Sequence, residues 1–316
     1  MPVADEELRV TLERVLGRRL RTMARRPNSY CSSFDIEDIE VTGDDGSPLR
    51  LIFKDLAVAA LTPQARGAKP PVLLDACREI EAYLEVLPPA AVEVAHCYGA
   101  VAEPSIGRYW LFLEAVDGVP LWQVGERSAW EEAAMWLAHL HAGQAPVVHR
   151  HLVRYDDAYF GRWIDRAVAF APAGSLDAVA AGWTRVVEQL TAWPYALVHG
   201  EYYPSNVLVR RRMATPRVVP VDWEMAGVGP GLLDLAALSS GGWTRAERER
   251  LALVYLESLP AAGRPSADAL LQALAYFRLY IAVQWVGWSQ DWSPPTEHAH
   301  DWLSEALSLA EELGFR

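Results

Sequence analysis

Apolar residues recur at helical spacing near the start of the chain: Leu8, Leu12, Val15, Leu16, Leu20 and Met23 predict an amphipathic helix over 5–26, ended by Pro27 and Asn28. Two extended stretches follow, over 31–42 and 49–56. In the second, Leu49, Leu51 and Phe53 alternate with Arg50, Ile52 and Lys54, and Asp44-Asp45-Gly46 supplies the turn of a hairpin. A Pro-, Ala- and Gly-rich loop is expected over 61–71. A helix is expected over 75–87, stopped by Pro88-Pro89. Short strands are predicted over 92–101 and 108–116, and Asp117-Gly118-Val119-Pro120 reads as a joint. Beyond it the period changes to that of helices over most of 128–193 and 243–314, with a strand-rich insert near 195–225. The pattern is therefore α+β, a small sheet-bearing N-terminal part and a larger helical C-terminal part. We divide it at 1–116 and 117–316, and no internal repeat or low-complexity tract is evident.

Composition narrows the function classes. The chain has 316 residues, 51% of them hydrophobic, enough to bury a substantial core. Its formal charge is −12, from 41 acidic against 29 basic residues, which argues against a nucleic-acid partner and against an anionic membrane surface. Cys31, Cys77 and Cys97 are odd in number and widely spaced, so neither a disulfide framework nor a paired-cysteine metal site is indicated. The N-terminus lacks the basic and apolar regions of a secretion signal, and no uninterrupted apolar run reaches bilayer length. A cytoplasmic protein is expected.

The densest polar chemistry lies in His199-Gly200-Glu201-Tyr202-Tyr203-Pro204-Ser205-Asn206, flanked by the apolar runs Ala196-Leu197-Val198 and Val207-Leu208-Val209. A second polar cluster, Asp222-Trp223-Glu224, ends the apolar run Val218-Val219-Pro220-Val221. Phosphoryl transfer needs such a set: a carboxylate to orient the attacking hydroxyl, and an amide oxygen with a second carboxylate to hold Mg²⁺ on the phosphates.

His199-Gly200-Glu201-x4-Asn206 followed by Asp222 and Asp234-Leu235-Ala236 resembles the aminoglycoside phosphotransferase and choline kinase family, which has a bilobal protein-kinase-like fold. The resemblance implies ATP (or GTP) and Mg²⁺ as cofactors and a small-molecule acceptor, such as a metabolite or antibiotic, phosphorylated on a hydroxyl. It implies Glu201 at the catalytic-base position, Asn206 and Asp222 as metal ligands, and His199 and Asp234 as supports. Lys54, at the end of Leu51-Ile52-Phe53-Lys54, resembles the lysine that meets the α- and β-phosphates. Glu79, with Glu81 as the alternative, would fix it by an ion pair. Ser32 and Ser33 stand where the phosphate-covering loop should be, and backbone groups of Glu114 and Val116 stand at the expected adenine edge.

One position departs from the family pattern, which has Asp where this chain has Glu201. The extra methylene displaces the carboxylate by more than about 1 Å, and a misplacement of that order can reduce a rate on the order of 10²-fold. Two readings follow. One is an active kinase, since positioning and charge neutralisation dominate this chemistry. The other is a catalytically silent kinase-fold protein that binds nucleotide or ligand. A protein kinase fits less well, because His-Gly-Glu replaces His-Arg-Asp and no glycine-rich loop is present.

Acceptor contacts are expected from Tyr202 and Tyr203 in the loop, and from Trp285 and Trp288, whose i,i+3 spacing places both on one helical face. Asp291 and Glu297 nearby would favour a cation. Packing in a helical core is the competing reading for each aromatic. His139 and His141 are two residues apart on a helix, hence on different faces, which argues against a shared metal.

Overall fold

The computed structural model describes residues 3–28, 30, 33–143, 149–211, 215–288 and 298–315. They form two compact units, Met1–Pro89 with Val94–Asp117, and Ala90–Glu93 with Gly118–Arg316.

In the first unit, helix α1 (Asp5–Leu16) begins with Asp5, Glu6 and Glu7, acids that suit the positive end of a helix dipole. It stops at Gly17, whose φ of 65° is the left-handed conformation of a glycine cap. The helix expected over 5–26 is therefore shorter, and its second half is a strand, β1 (Leu20–Pro27). There Arg25 bonds Glu37 on the next strand and Asp5 at the start of α1, contacts that helical spacing does not reveal. Strands β2 (Ile36–Gly43) and β3 (Pro48–Asp55) form the expected hairpin. Gly46 takes φ 81°, and Asp45 accepts a hydrogen bond from the Ser47 amide.

The loop expected over 61–71 contains a short helix, α2 (Pro63–Ala68), capped by Thr62. The helix expected over 75–87 begins later and runs farther. It comprises α3 (Arg78–Glu81), a π-helical turn (Ala82–Val86) and α4 (Leu87–Ala90). Pro88 and Pro89, expected to stop the helix, instead lie inside α4, directly after the π-helical turn and just before the helix ends at Ala90. Strands β4 (Cys97–Glu103) and β5 (Arg108–Glu114) complete an antiparallel sheet ordered β1-β2-β3-β5-β4. Leu8 and Leu12 of α1 pack with Ile39, Val41, Leu51, Phe53, Trp110 and Phe112. Because side chains alternate along a strand, covering the Phe53 face directs Lys54 to the opposite one.

The second unit starts with β6 (Gly118–Pro120), α5 (Arg127–Ala142), β7 (Val153–Arg154), α6 (Asp157–Phe170), α7 (Asp177–Ala181) and α8 (Trp183–Thr191). Strands β8 (Tyr195–Val198), β9 (Val207–Arg210), β10 (Val218–Pro220) and β11 (Gly227–Pro230) follow. They form two small sheets, β10-β9-β6 and β7-β11-β8. Four helices close the chain: α9 (Leu232–Ser239), α10 (Arg245–Ser258), α11 (Ala267–Val286) and α12 (Trp302–Glu312). All eight residues of α9 are buried, so this short helix is central to its unit.

Helix α11 is long and apolar enough to cross a membrane by length and composition, with 20 residues and a mean hydropathy of 1.3, although Asp268, Gln272, Arg278 and Gln284 interrupt its apolar run. Two observations mark it as a core helix. Its window is 67% buried inside the protein, and its Arg278 bonds Glu305 of α12.

Candidate active site

In the first unit, Lys54 sits near the end of β3 and Glu79 in the first turn of α3. Lys54 Nζ lies 2.8 Å from each carboxylate oxygen of Glu79, with side-chain exposures of 5% and 1%. A buried ammonium requires such a partner, because desolvation would otherwise be prohibitive. Glu79, rather than Glu81, is the residue that meets Lys54. Ser33 Oγ accepts from Lys69 Nζ at 2.8 Å, whereas Ser32, like Cys31, lies outside the described residues. Glu114 ends β5, and its backbone N–H and its carboxylate bond the C=O and N–H of His96, respectively. Val116 follows, half-buried.

In the second unit, the loop between β8 and β9 is pinned from below by Asp234 of α9. This fully buried carboxylate accepts the His199 amide at 2.7 Å through Oδ2 and the Gly200 amide at 2.9 Å through Oδ1. His141 of α5 reaches the same Oδ2 through Nε2 at 3.3 Å, and its Nδ1 lies 3.0 Å from the hydroxyl of Tyr255 on α10. Three helices thus fix the start of the loop. His199 is fully buried, with Nε2 3.0 Å from Val221 O and Nδ1 3.4 Å from the Glu201 amide. A carbonyl can only accept and an amide can only donate, so the ring is neutral with its proton on Nε2.

Gly200 has φ 85°, and a Cβ there would lie 2.0 Å from the Tyr155 hydroxyl and 2.3 Å from Met225 O. Only glycine allows the chain to turn so closely past them. Tyr155 itself is buried and donates to Met225 O at 2.6 Å. The next residues are half-buried and reachable: Glu201, Ser205, Asn206 and Asp222. Asn206 donates from Nδ2 to Glu201 O at 3.0 Å, which turns its Oδ1 the other way. Asn206 O accepts the Val221 amide at 2.8 Å, and this bond continues the β9–β10 ladder and sets Asp222 one residue beyond it. Asp222 has φ 67°, a left-handed conformation that a non-glycine residue holds at a cost of about 1–2 kcal/mol. The fully buried Trp223 beside it, 4.5 Å from the His199 ring, keeps it there.

The donor set is one amide oxygen and one carboxylate on adjoining backbone segments, all hard oxygen, with the amide nitrogen already engaged. That set fits Mg²⁺ and does not suit a soft metal. The negative charge of Glu201 is felt by the surrounding phenols. Burial, and secondarily Glu201, push Tyr159 up to about 12 and raise Tyr203 well above the usual tyrosine value.

The aromatic residues singled out in the sequence separate. Tyr202 is fully buried, stacks on Trp136 of α5 and donates to Ala133 O at 3.2 Å, so it packs the loop and cannot reach an acceptor. Tyr203 lies against Trp285 and His298, at 5.3 and 5.1 Å. Trp285 stacks on Trp302, but Trp288 stacks on Trp163 of α6, so the two do not share the face that their spacing suggested. The difference arises because α11 ends at Val286 with Gly287 as its cap, which leaves Trp288 beyond the helix. Asp291 and Glu297 lie outside the described residues. Tyr155 and His298, and the contact of His141 with Asp234, escaped the sequence reading, since the partners are distant in the chain and no local spacing announces them.

Comparison with solved structures finds the same fold in several kinases. The microcompartment-associated aminopropanol kinase is 14% identical, with a TM-score of 0.60, over 92% of this chain and 90% of the other. The ethanolamine kinase of Plasmodium vivax is 12% identical, with a TM-score of 0.60, over 93% and 84%. A spectinomycin phosphotransferase in complex with ADP and spectinomycin is 12% identical, with a TM-score of 0.58, over 99% and 95%. At these identities the likeness is one of fold. Comparison with curated protein sequences gives no match. The sequence profile described as the phosphotransferase enzyme family matches residues 35–270, well over half of the chain. This protein therefore belongs to the phosphotransferase enzyme family.

Proposed function

We propose that the protein transfers the γ-phosphoryl of ATP (or GTP), with Mg²⁺, to a hydroxyl of a small molecule. In this reading residues 1–116 serve the nucleotide and residues 117–316 the chemistry and the acceptor. Lys54, oriented by Glu79, meets the phosphates, and backbone groups of Glu114 and Val116 meet the base. Asn206 and Asp222 hold the cation, which when bound neutralises charge on the phosphate oxygens. Glu201 orients the acceptor hydroxyl and takes its proton as the oxygen–phosphorus bond forms. His199 and Asp234 hold the loop in shape.

The observation that carries this reading is the hydrogen bond from the Val221 amide to Asn206 O. It joins the Glu201–Asn206 loop to Asp222 above the anchor of Asp234. The retention of Lys54, Asn206 and Asp222, with the Lys54–Glu79 pair formed, favours catalysis over silent binding. The solved relatives named for aminopropanol and ethanolamine act on molecules that join an amine to a hydroxyl. Amino alcohols are accordingly the first acceptors to test, followed by aminoglycosides, sugars and nucleoside-type antibiotics.

The test is ADP or GDP release across that panel, with each nucleotide. Asp222→Ala should abolish turnover. Glu201→Gln should lower it on the order of 10²–10⁴-fold, while Glu201→Asp should leave it similar or higher. Equal rates for the Gln variant and the natural chain would remove the carboxylate from the chemistry. Nucleotide-dependent thermal stabilisation with no transfer to any acceptor would support the silent binder instead.

A further inference from the structure

Ser205 immediately precedes Asn206, and its hydroxyl lies between two groups. His298 Nε2 is 3.0 Å from Ser205 Oγ, and Asn206 Oδ1 is 3.5 Å from it on the other side. His298 arrives from the segment that leads into α12 and is held by edge-on and tilted ring contacts. Its ring packs at 5.0 Å on Trp285 and 5.1 Å on Tyr203, and its backbone C=O accepts from Trp302 Nε1 at 3.2 Å. Trp285 and Trp302 are themselves nearly parallel, at 8° and 5.3 Å. A half-buried imidazole set against two aromatic rings, with its backbone tied by a third residue, has little freedom to turn away from the loop.

A serine hydroxyl carries one hydrogen, so it can donate to only one neighbour. If Nε2 of His298 bears a proton, it donates to Ser205 Oγ, and the Ser205 hydrogen is then free for Asn206 Oδ1. With the proton on the other ring nitrogen, the Ser205 hydrogen turns to His298 and Oδ1 loses its donor. Asn206 Nδ2 is already bonded to Glu201 O, so the amide is clamped from that side. Ser205 supplies a contact to the oxygen itself. We propose that His298 is a positioning residue that acts through Ser205 to orient and polarise the amide oxygen of Asn206, so that the C-terminal helices govern how well this loop holds its cation. The proposal rests on the reading of Asn206 as a Mg²⁺ ligand. Groups that orient a metal ligand from outside the coordination shell typically contribute about 10–100-fold to metal affinity.

The experiment is calorimetric titration of the full-length protein with ATP at graded Mg²⁺ concentrations, alongside thermal melts. Ser205→Ala and His298→Leu should each raise the Mg²⁺ needed for half-maximal ATP binding, about 10-fold. The double variant should be no worse than either single one, because both act through one contact. His298→Gln, whose amide nitrogen can still donate to Ser205, should return the requirement towards that of the natural chain. Asn206→Ala separates the two levels of inference. If it raises the Mg²⁺ requirement while Ser205→Ala does not, the relay is overturned and the site reading stands. If Asn206→Ala has no effect, the site reading itself falls. Additive effects in the double variant would also overturn the relay. Should His298→Leu fail to fold, Ser205→Ala, at a half-buried loop position, decides the matter alone.

Discussion

The Lys54–Glu79 pair shows how strongly one buried charge constrains its surroundings. Both side chains are almost wholly removed from water, so deleting Glu79 takes a buried counter-charge from the Lys54 ammonium. Glu79→Ala should therefore destabilise the protein by about 3–5 kcal/mol, measurable by denaturant unfolding. Replacing both residues by methionine should be milder, because both charges of the pair are then removed together. A loss for Glu79→Ala no greater than that of an exposed substitution would mean that Lys54 is not buried as described. Nearby, burial pushes the Cys97 thiol up to about 11, with Glu79 adding to the effect and the Gly99 amide opposing it. The thiol is thus protonated at neutral pH and should react slowly with iodoacetamide, at well below the rate of a free cysteine. The sequence announced Lys54 through its place at the end of an apolar strand. It favoured Glu79 over Glu81 only by resemblance, because both lie on the same short helix, and packing brings Glu79 to Lys54.

At the scale of elements, the loop between β8 and β9 depends on one glycine and one tyrosine. Gly200→Ala combines an unfavourable left-handed backbone with overlap against both Tyr155 and Met225 O. A lower melting temperature and loss of turnover are expected. Adding Tyr155→Phe should not rescue them, since Met225 O still lies 2.3 Å from the new Cβ. Recovery in the double variant would show that the hydroxyl alone shapes this turn. The glycine was legible as part of a motif, while the tyrosine that makes it necessary was not, lying just beyond β7 and far away in the chain. The first helix gives the complementary case. Leu20 and Met23 continue the helical spacing of Leu8 and Leu12, yet Gly17 takes a left-handed conformation and the chain pairs with β2 instead. A sheet partner offers hydrogen bonds and ion pairs that periodicity within one segment does not register.

At the scale of the whole molecule, the helical unit buries several phenols. Tyr159, Tyr202, Tyr203, Tyr255 and Tyr280 are all raised above the usual tyrosine value near 10, in each case chiefly by burial. A raised phenol keeps its proton in the folded state after the unfolded chain has lost it. The contribution is therefore fully present below about pH 10 and is lost as pH rises towards the folded values. Thermal melts across an alkaline series should show a falling midpoint above about pH 10, with tyrosinate absorbance appearing together with unfolding. Early, gradual ionisation of all tyrosines in a still-folded protein would contradict the burial.

The sequence by itself determined which residue types the candidate positions carry and in what order, Lys54 in the first unit and His199, Glu201, Asn206, Asp222 and Asp234 in the second. It also determined the strand alternation that separates Lys54 from Phe53, because both features are written within single segments. Only the tertiary structure decided that Asp234 meets His141 and the His199 and Gly200 amides, that Tyr155 fills the space beside Gly200, and that His298 reaches Ser205. Such contacts join residues far apart in the chain, and the free energy that selects them comes from burying side chains together, a property of the packed whole rather than of any local pattern.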